Sequence, residues 1–417
     1  MRFPARRDAT VLLTTLALTA ACNDPTGPGV DPITELPRQL STAERTLIEA
    51  GNGFGLELMR QVTQAEEGPN VVISPLSASM ALGMTLNGAA GSTFEAMRAT
   101  LGYGVLTQEE INTGYHDLLE LLRGLDGTVE FSVANSVWSR DGFPFHDAFF
   151  QQVSGAFDAH LETRDFGDPA TLDAINGWVS EETNGYIPRL LDGIDPQMVM
   201  FLVNAIYFDG RWTTRFDAGE TMAWDFRRAD GSTVAVDMMT LREHTVPTLR
   251  TEAFTAAELT YGGGAFGMVV VVPEGETTAH DLASGMDAEW WNSLTGGLED
   301  FELARISLPR FTLSYGTTLN EALKAMGMEV AFSETEADFT NLSPEGDRLY
   351  IDEVRQKTFI QVDEAGTKAA AATSVGIGVT SLPPMLVADR PFLFAIRERL
   401  SGTLLFTGLV GDPTVEE

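Results

Sequence analysis

The chain is predicted to fold as one α+β unit, multidomain-like in size, and three observations carry that expectation. It opens with helical spacings and passes into strands mixed with helices. Met198 to Phe208 (MVMFLVNAIYF) is apolar almost throughout, the pattern of a strand covered on both faces. Val362 to Phe392 holds small and β-branched residues that fit either a strand or a loop.

The N-terminus stands apart from the fold. Arg2, Arg6 and Arg7 precede an apolar run from Val11 to Leu18, too short to span a bilayer, and Ala20-Ala21-Cys22 follows. Residues 1–21 therefore read as a cleaved export signal. Cys22 is the one cysteine of the 417 residues, so the core alone must hold the fold, without an intramolecular disulfide. Asn23 to Leu36 (NDPTGPGVDPITEL) is rich in Pro, Gly and Asp, and residues 22–39 are expected to form a flexible tether. The globular unit is placed at 40–411, with 412–417 as a short tail, and is long enough for a large core. Lys and Arg number 27 against 60 Asp and Glu, a net charge of −33. Loss of Arg2, Arg6, Arg7 and Asp8 with the signal takes this to about −35. With no dense Lys/Arg cluster, nucleic acid and sulfated polysaccharide are disfavoured as partners.

Within the body, Leu47, Phe54, Leu58 and Val62 give Leu40–Gln64 helical spacing, with Gly51, Gly53 and Gly55 leaving its middle undecided. Asn70 to Ile73 reads as a short strand, and Ser74 caps a helix that starts at Pro75 and runs through Leu86. Thr107 to Leu122 is amphipathic, Val129 to Trp138 alternates as a strand, and Asp147–Phe157 and Ala170–Thr183 are helices. Trp224 to Leu249 pairs strands around the turn Ala229-Asp230-Gly231-Ser232. Tyr261 and Gly262 to Gly264 lead into the strand Phe266–Val272, and with no GK[ST] helix behind them these glycines make a turn rather than a phosphate cradle. Leu303–Leu313 is strand around Pro309, Leu319–Met328 is helix, and Leu349–Val362 is a strand pair. Phe392–Arg397 and Thr403–Val410 are strands joined around Ser401-Gly402.

The stretch after Val362 is the most informative. Asp363 and Glu364 precede Gly366, then Thr367-Lys368-Ala369-Ala370-Ala371-Ala372-Thr373. Extended, the chain puts Thr367, Ala369, Ala371, Thr373, Val375, Ile377 and Val379 on one face and Lys368 on the other. Pro383-Pro384 close it like the end of an exposed loop. A segment able to be loop or strand is a candidate switch. Glu364 to Thr373 resembles the hinge of the serpins, a large family of serine-protease inhibitors, and Ala388 to Phe394 (ADRPFLF) resembles their C-terminal signature. NVVISPLSASMALGMTLNGAAGST, INGWVSEETNGYIPRLL, VNAIYFDGRW and FSETEADFTNL resemble further blocks of the family, so the resemblance covers residues 41–411.

That resemblance implies the serpin fold, about nine helices and three β-sheets with an exposed reactive-centre loop, here about 364–388. In inhibitory members a protease cleaves the loop and is held as an acyl-enzyme. The N-terminal half of the loop then inserts into the largest sheet, an established kind of switching transition. Glu364, Gly366, Thr367, Ala369, Ala370, Ala371 and Ala372 would form the hinge, with the glycine as pivot and small side chains that slide between strands. Ser74, Asn204 and Trp212 would mark the region where the sheet opens, with Asn204 hydrogen-bonding across it. Three positions depart from the family pattern: Lys368 replaces a frequent glutamate, Tyr186 the commonest lysine and Gln356 a common histidine. Spacing from the hinge to Pro383-Pro384 and Pro391-Phe392 puts the reactive bond at Thr380-Ser381. Val379 and Thr380 suit a shallow primary pocket, which points to elastase-like serine proteases, and no Lys or Arg lies between Lys368 and Arg390 to draw a trypsin-like one.

The expected function is suicide inhibition by a monomer with a metastable native fold. A cysteine-protease target and a non-inhibitory serpin are the alternatives. Cys22 after a small-residue site resembles a bacterial lipoprotein signal, with lipid on the sulfur and Asn23 fitting outer-membrane sorting. The protein is then anchored to the outer membrane or cell surface; a plain signal would leave it secreted or periplasmic. Enzymatic readings find little. His116, His146, His160, His244 and His280 form no H-E-x-x-H motif, and there is no G-x-S-x-G elbow. Ser74 has no base near it in sequence, no metal-ligand spacing appears, and neither a cofactor nor turnover is expected.

Overall fold

The computed structural model describes residues 32–366 and 384–415. The signal at 1–21, Cys22, the hinge from Thr367 through Lys368 and Ala369 to Ala372, and the Thr380-Ser381 bond lie outside the described residues.

Local chemistry sets the helix starts. Ser41 and Glu44 form a capping box on α1 (Thr42–Ala65). Its glycines do not break it, because Gly55 lies where a Cβ would come within 2.2 Å of the Pro75 ring, so glycine permits a close helix crossing. β1 (Asn70–Ile73) leads to α2 (Pro75–Leu86), where the Ser74 hydroxyl accepts from the Ser77 amide and Pro75 takes the first turn. Then come α3 (Gly91–Thr100), α4 (Gln108–Gly124), β2 (Val129–Arg140), α5 (Asp147–Phe157), β3 (His160–Arg164), α6 (Pro169–Glu182) and β4 (Met200–Gly210). β5 (Met222–Arg227) and β6 (Thr233–Arg250) pair around the expected turn, followed by β7 (Phe254–Tyr261), β8 (Phe266–Pro273), α7 (Ala279–Ser284) and α8 (Ala288–Gly296). The chain ends through β9 (Glu299–Pro309), β10 (Phe311–Thr318), α9 (Asn320–Leu323), β11 (Arg355–Val362), β12 (Met385–Val387), β13 (Phe392–Glu398) and β14 (Leu404–Val410).

Three expectations change. The helix expected over Leu319–Met328 keeps α geometry only to Leu323, and Gly327 kinks the chain at φ 108°. Leu349–Val354 is not strand: its backbone groups bond instead to Ala331, Leu319 and Asn320 around α9, and only 355–362 joins a ladder. The tether read at 22–39 is docked from Ile33 onward. The Ile33 amide donates to the Gly263 carbonyl at 2.8 Å, and Arg38 pairs with Glu44 at 2.7 Å and reaches the Asp117 carbonyl.

The described residues form three sheets. The largest runs β1-β14-β13-β8-β7-β6-β9-β12 with β5 beside β6, and its central β8 is buried along its whole length. The second is β3-β2-β4, with β2 and β4 antiparallel from Val129 opposite Gly210 to Ser139 opposite Met200. The third is the ribbon β10-β11, antiparallel from Phe311 opposite Val362 to Thr318 opposite Arg355. β4 is covered on both faces, as its continuous apolarity predicts. Ile206 and Phe208 enter the main core, while Val203 and Ala205 join a second cluster beneath α6 with Trp138, Ile175, Val179 and Ile187. Each buried aliphatic side chain there contributes about 1.5–3 kcal/mol, which seats α6 across the second sheet.

Candidate functional site

β4 and β11 lie on the edges of the second sheet and of the ribbon, so neither belongs to the largest sheet in which insertion is expected, and no ladder joins them. Their upper ends are nevertheless tied. Past Val362 the chain makes a tight turn in which the Asp363 amide donates to the Gly366 carbonyl at 2.9 Å, and Gly366 bridges to Arg211 beyond the end of β4. The Trp212 amide donates to the Ala365 carbonyl, the Phe216 amide to the Glu364 carbonyl, and the Trp212 indole N–H to the Asp363 carbonyl, each at 2.9 Å. Trp212 is 3% exposed and stacks on Tyr261 at 4.4 Å, so a buried aromatic stack supports the tie.

Glu364 fixes this turn sideways. Its carboxylate, 6% exposed, accepts from Arg310 at 2.5 and 3.1 Å and from the Thr221 hydroxyl at 2.6 Å. Burial opposes its charge, yet the bonds from Arg310 and Thr221 outweigh that and hold the carboxyl below its ordinary range. Arg310 sits between β9 and β10, so the contact also links the turn to the outer side of the ribbon. Nothing in the sequence around Arg310 marks it as the partner of Glu364.

The lower halves of β4 and β11 flank a cavity of about 410 Å³, lined by Ser77 and Leu82 of α2, Leu191, Asn204, Ile351 and Gln356. Ser74 lies beside it, its hydroxyl donating to the Leu405 carbonyl at 2.7 Å. Gln356, at the common histidine position, accepts from the Ser74 amide and donates to the Ser74 carbonyl, both at 2.9 Å. Asn204 reaches the cavity but does not bond across it. Its amide donates to Asn135 Oδ1 at 2.5 Å within its own sheet, and its Oδ1 has no partner among the described residues. Asn135 faces Asn204 directly in the β2–β4 register and is anchored on the Phe157 carbonyl, so the nearer partner wins. Of the residues expected at the opening, Trp212 thus belongs to the tied end, and Ser74 and Asn204 to the open one. Within the described part of the hinge, Glu364 and Gly366 meet at the tie.

The arrangement is two sheet edges tied at one end and open at the other, with the 363–366 turn following one of them. Comparison with known proteins agrees with that architecture. Residues 49–413 match the family model described as Serpin (serine protease inhibitor). Glia-derived nexin of Mus musculus is 31% identical over 384 residues, covering 88% of this chain and 94% of the relative. The thermophilic serpin tengpin in its native state superposes with a TM-score of 0.80 at 30% identity, over 92% of this chain and 97% of that one. Human thyroxine-binding globulin gives a TM-score of 0.81 at 26% identity, over 90% and 100%. The chain belongs to the serpin family, whose members are generally protease inhibitors rather than catalysts.

Proposed function

We propose that this serpin inhibits serine proteases of elastase-like preference by suicide trapping at Thr380-Ser381. The target's serine Oγ adds to the Thr380 carbonyl carbon, and its proton passes to the target's base. The bond from Thr380 to the Ser381 nitrogen breaks, the new amine takes that proton, and Thr380 remains as an ester on the target serine. Water would hydrolyse this ester. Insertion of the freed segment between β4 and β11 competes with that step and distorts the bound enzyme. The observation that carries the reading is the unpaired β4–β11 boundary, with a small-residue stretch following β11 and its 363–366 turn in the sequence. We place the protein outside the cytoplasm, held through a lipidated Cys22.

The test mixes the protein with pancreatic elastase on denaturing gels. A covalent band at the summed mass, with a new N-terminus at Ser381, is the expected result. Thr367→Arg is expected to abolish that band while leaving cleavage intact, because a long charged side chain slows insertion. Cleavage without a band and without a gain in thermal stability would assign a non-inhibitory role, and trapping of papain-type enzymes alone would assign cysteine proteases. Absence of palmitate labelling in the host would remove the anchor.

A further inference from the structure

We propose that Tyr186 is a latch across the β4–β11 boundary that sets how fast the sheet opens, a reading that rests on the insertion proposed above. The Tyr186 ring stacks on Tyr207 of β4 at 5.5 Å and 15°, and on Phe359 of β11 at 4.7 Å and 28°. One side chain thereby joins two strands that share no backbone pairing. Its backbone belongs wholly to the β4 side. The turn after α6 places Asn184 at φ 50° and Gly185 at φ 83°, the Tyr186 amide donates to the Thr183 carbonyl, and Asn184 donates to Glu130 on β2. Ile187, next along, is buried in the cluster beneath α6. The ring therefore reaches from an anchored turn onto the other sheet.

Phe359 and Tyr207 face the α6 side of their strands. A strand entering between β4 and β11 sends alternate side chains to that same face and moves the flanking strands to about 9.5 Å apart, two spacings. Its side chains need the space the ring occupies, so Tyr186 must leave. Asp192, in the same loop, also pairs with Arg355 of β11 at 3.3 Å, but that pair is largely solvated and contributes little. The ring is the substantial crossing in the middle of the slot.

The test is hydrogen–deuterium exchange on the intact protein. Tyr186→Ala is expected to speed exchange in β11 about fivefold, and Tyr186→Phe, which keeps the ring, by less than that. Phe359→Ala is expected to have the same effect, and the double variant no more than either single one. Unchanged β11 exchange, or acceleration spread equally over β8 and α8, overturns the latch. A synthetic peptide copying residues 367–380 provides the second readout. Its uptake is scored by the rise in thermal stability and is expected to be about fivefold faster in Tyr186→Ala. Uptake at the wild-type rate by that variant also overturns the latch. If no form takes up peptide, the insertion reading fails, and the exchange result alone decides whether Tyr186 couples the two sheets.

Discussion

Replacing Gly366 by alanine is expected to untie the upper end of the slot. The residue sits at φ +139°, and an added Cβ would lie 2.3 Å from Gly210 O, 2.4 Å from Arg211 Cα and 2.6 Å from the Trp212 nitrogen. All three are backbone atoms, so no side chain can swing aside. The positive φ alone costs about 1–2 kcal/mol. Relief of the overlap requires the 363–366 turn to move off Arg211, which sacrifices the Arg211–Gly366 bridge and the Trp212–Ala365 bond at about 1 kcal/mol each. The sum is about 3–4 kcal/mol. In a urea titration followed by tryptophan fluorescence, a slope of about 3 kcal/mol per M turns this into a midpoint about 1 M lower. Gly104→Ala is the internal control: φ is +57° there, but nothing lies within 4 Å, so only the backbone cost of about 1 kcal/mol applies. Equal shifts for the two variants would refute the role assigned to the close approach at Arg211.

Two further outcomes follow from the same contacts. Gln356→Ala leaves the Ser74 amide without its acceptor, while the Ser74 carbonyl keeps its bond from Ala78, so the expected loss in urea stability is about 1–3 kcal/mol. A loss below about 0.5 kcal/mol would show that this bond is not a stabilising part of the lower slot. The hinge is also expected to be acid-sensitive. Glu364 has a folded-state pKa below the ordinary 4.5, so its contribution is fully present above pH 4.5 and is lost as pH falls through the depressed folded value. Glu364→Gln should be about 1–2 kcal/mol less stable than the natural chain at neutral pH, a figure discounted for the 43% exposure of Arg310. That difference should shrink as the pH drops below 4.5; a gap that holds constant into acid would disprove the ion-pair account.

Much of the fold was legible because short-range rules decided it. Ser74-Pro75 announced α2, Asp147–Phe157 was read with its observed bounds, and the near-continuous apolarity of β4 announced cover on both faces. The glycines of α1 misled because their use is tertiary: Gly55 admits Pro75 from another helix, which spacing cannot show. The same limit applies to Leu349–Val354, whose bonding groups found partners around α9. At the site, Glu364, Gly366 and Trp212 could be named from the sequence, and they meet at the tie. The Arg310 partner of Glu364 could not, nor could the choice of Asn204 for Asn135. Both depend on which segments meet, and no period or cap encodes that.

The docked segment at Ile33 has a practical consequence. Ile33 bonds to Gly263, Gly262 donates to the carbonyl of Arg211, and Arg211 bridges to Gly366. The start of the described chain and the exit of its hinge are therefore neighbours in space, although they lie near opposite ends of the sequence. Anything attached ahead of Ile33, whether a lipid, a purification tag or a bead, is tethered at a point close to the 363–366 turn. A linker there extends by at most about 3.5 Å per residue. Its length therefore works as a ruler for the clearance left to an approaching protease.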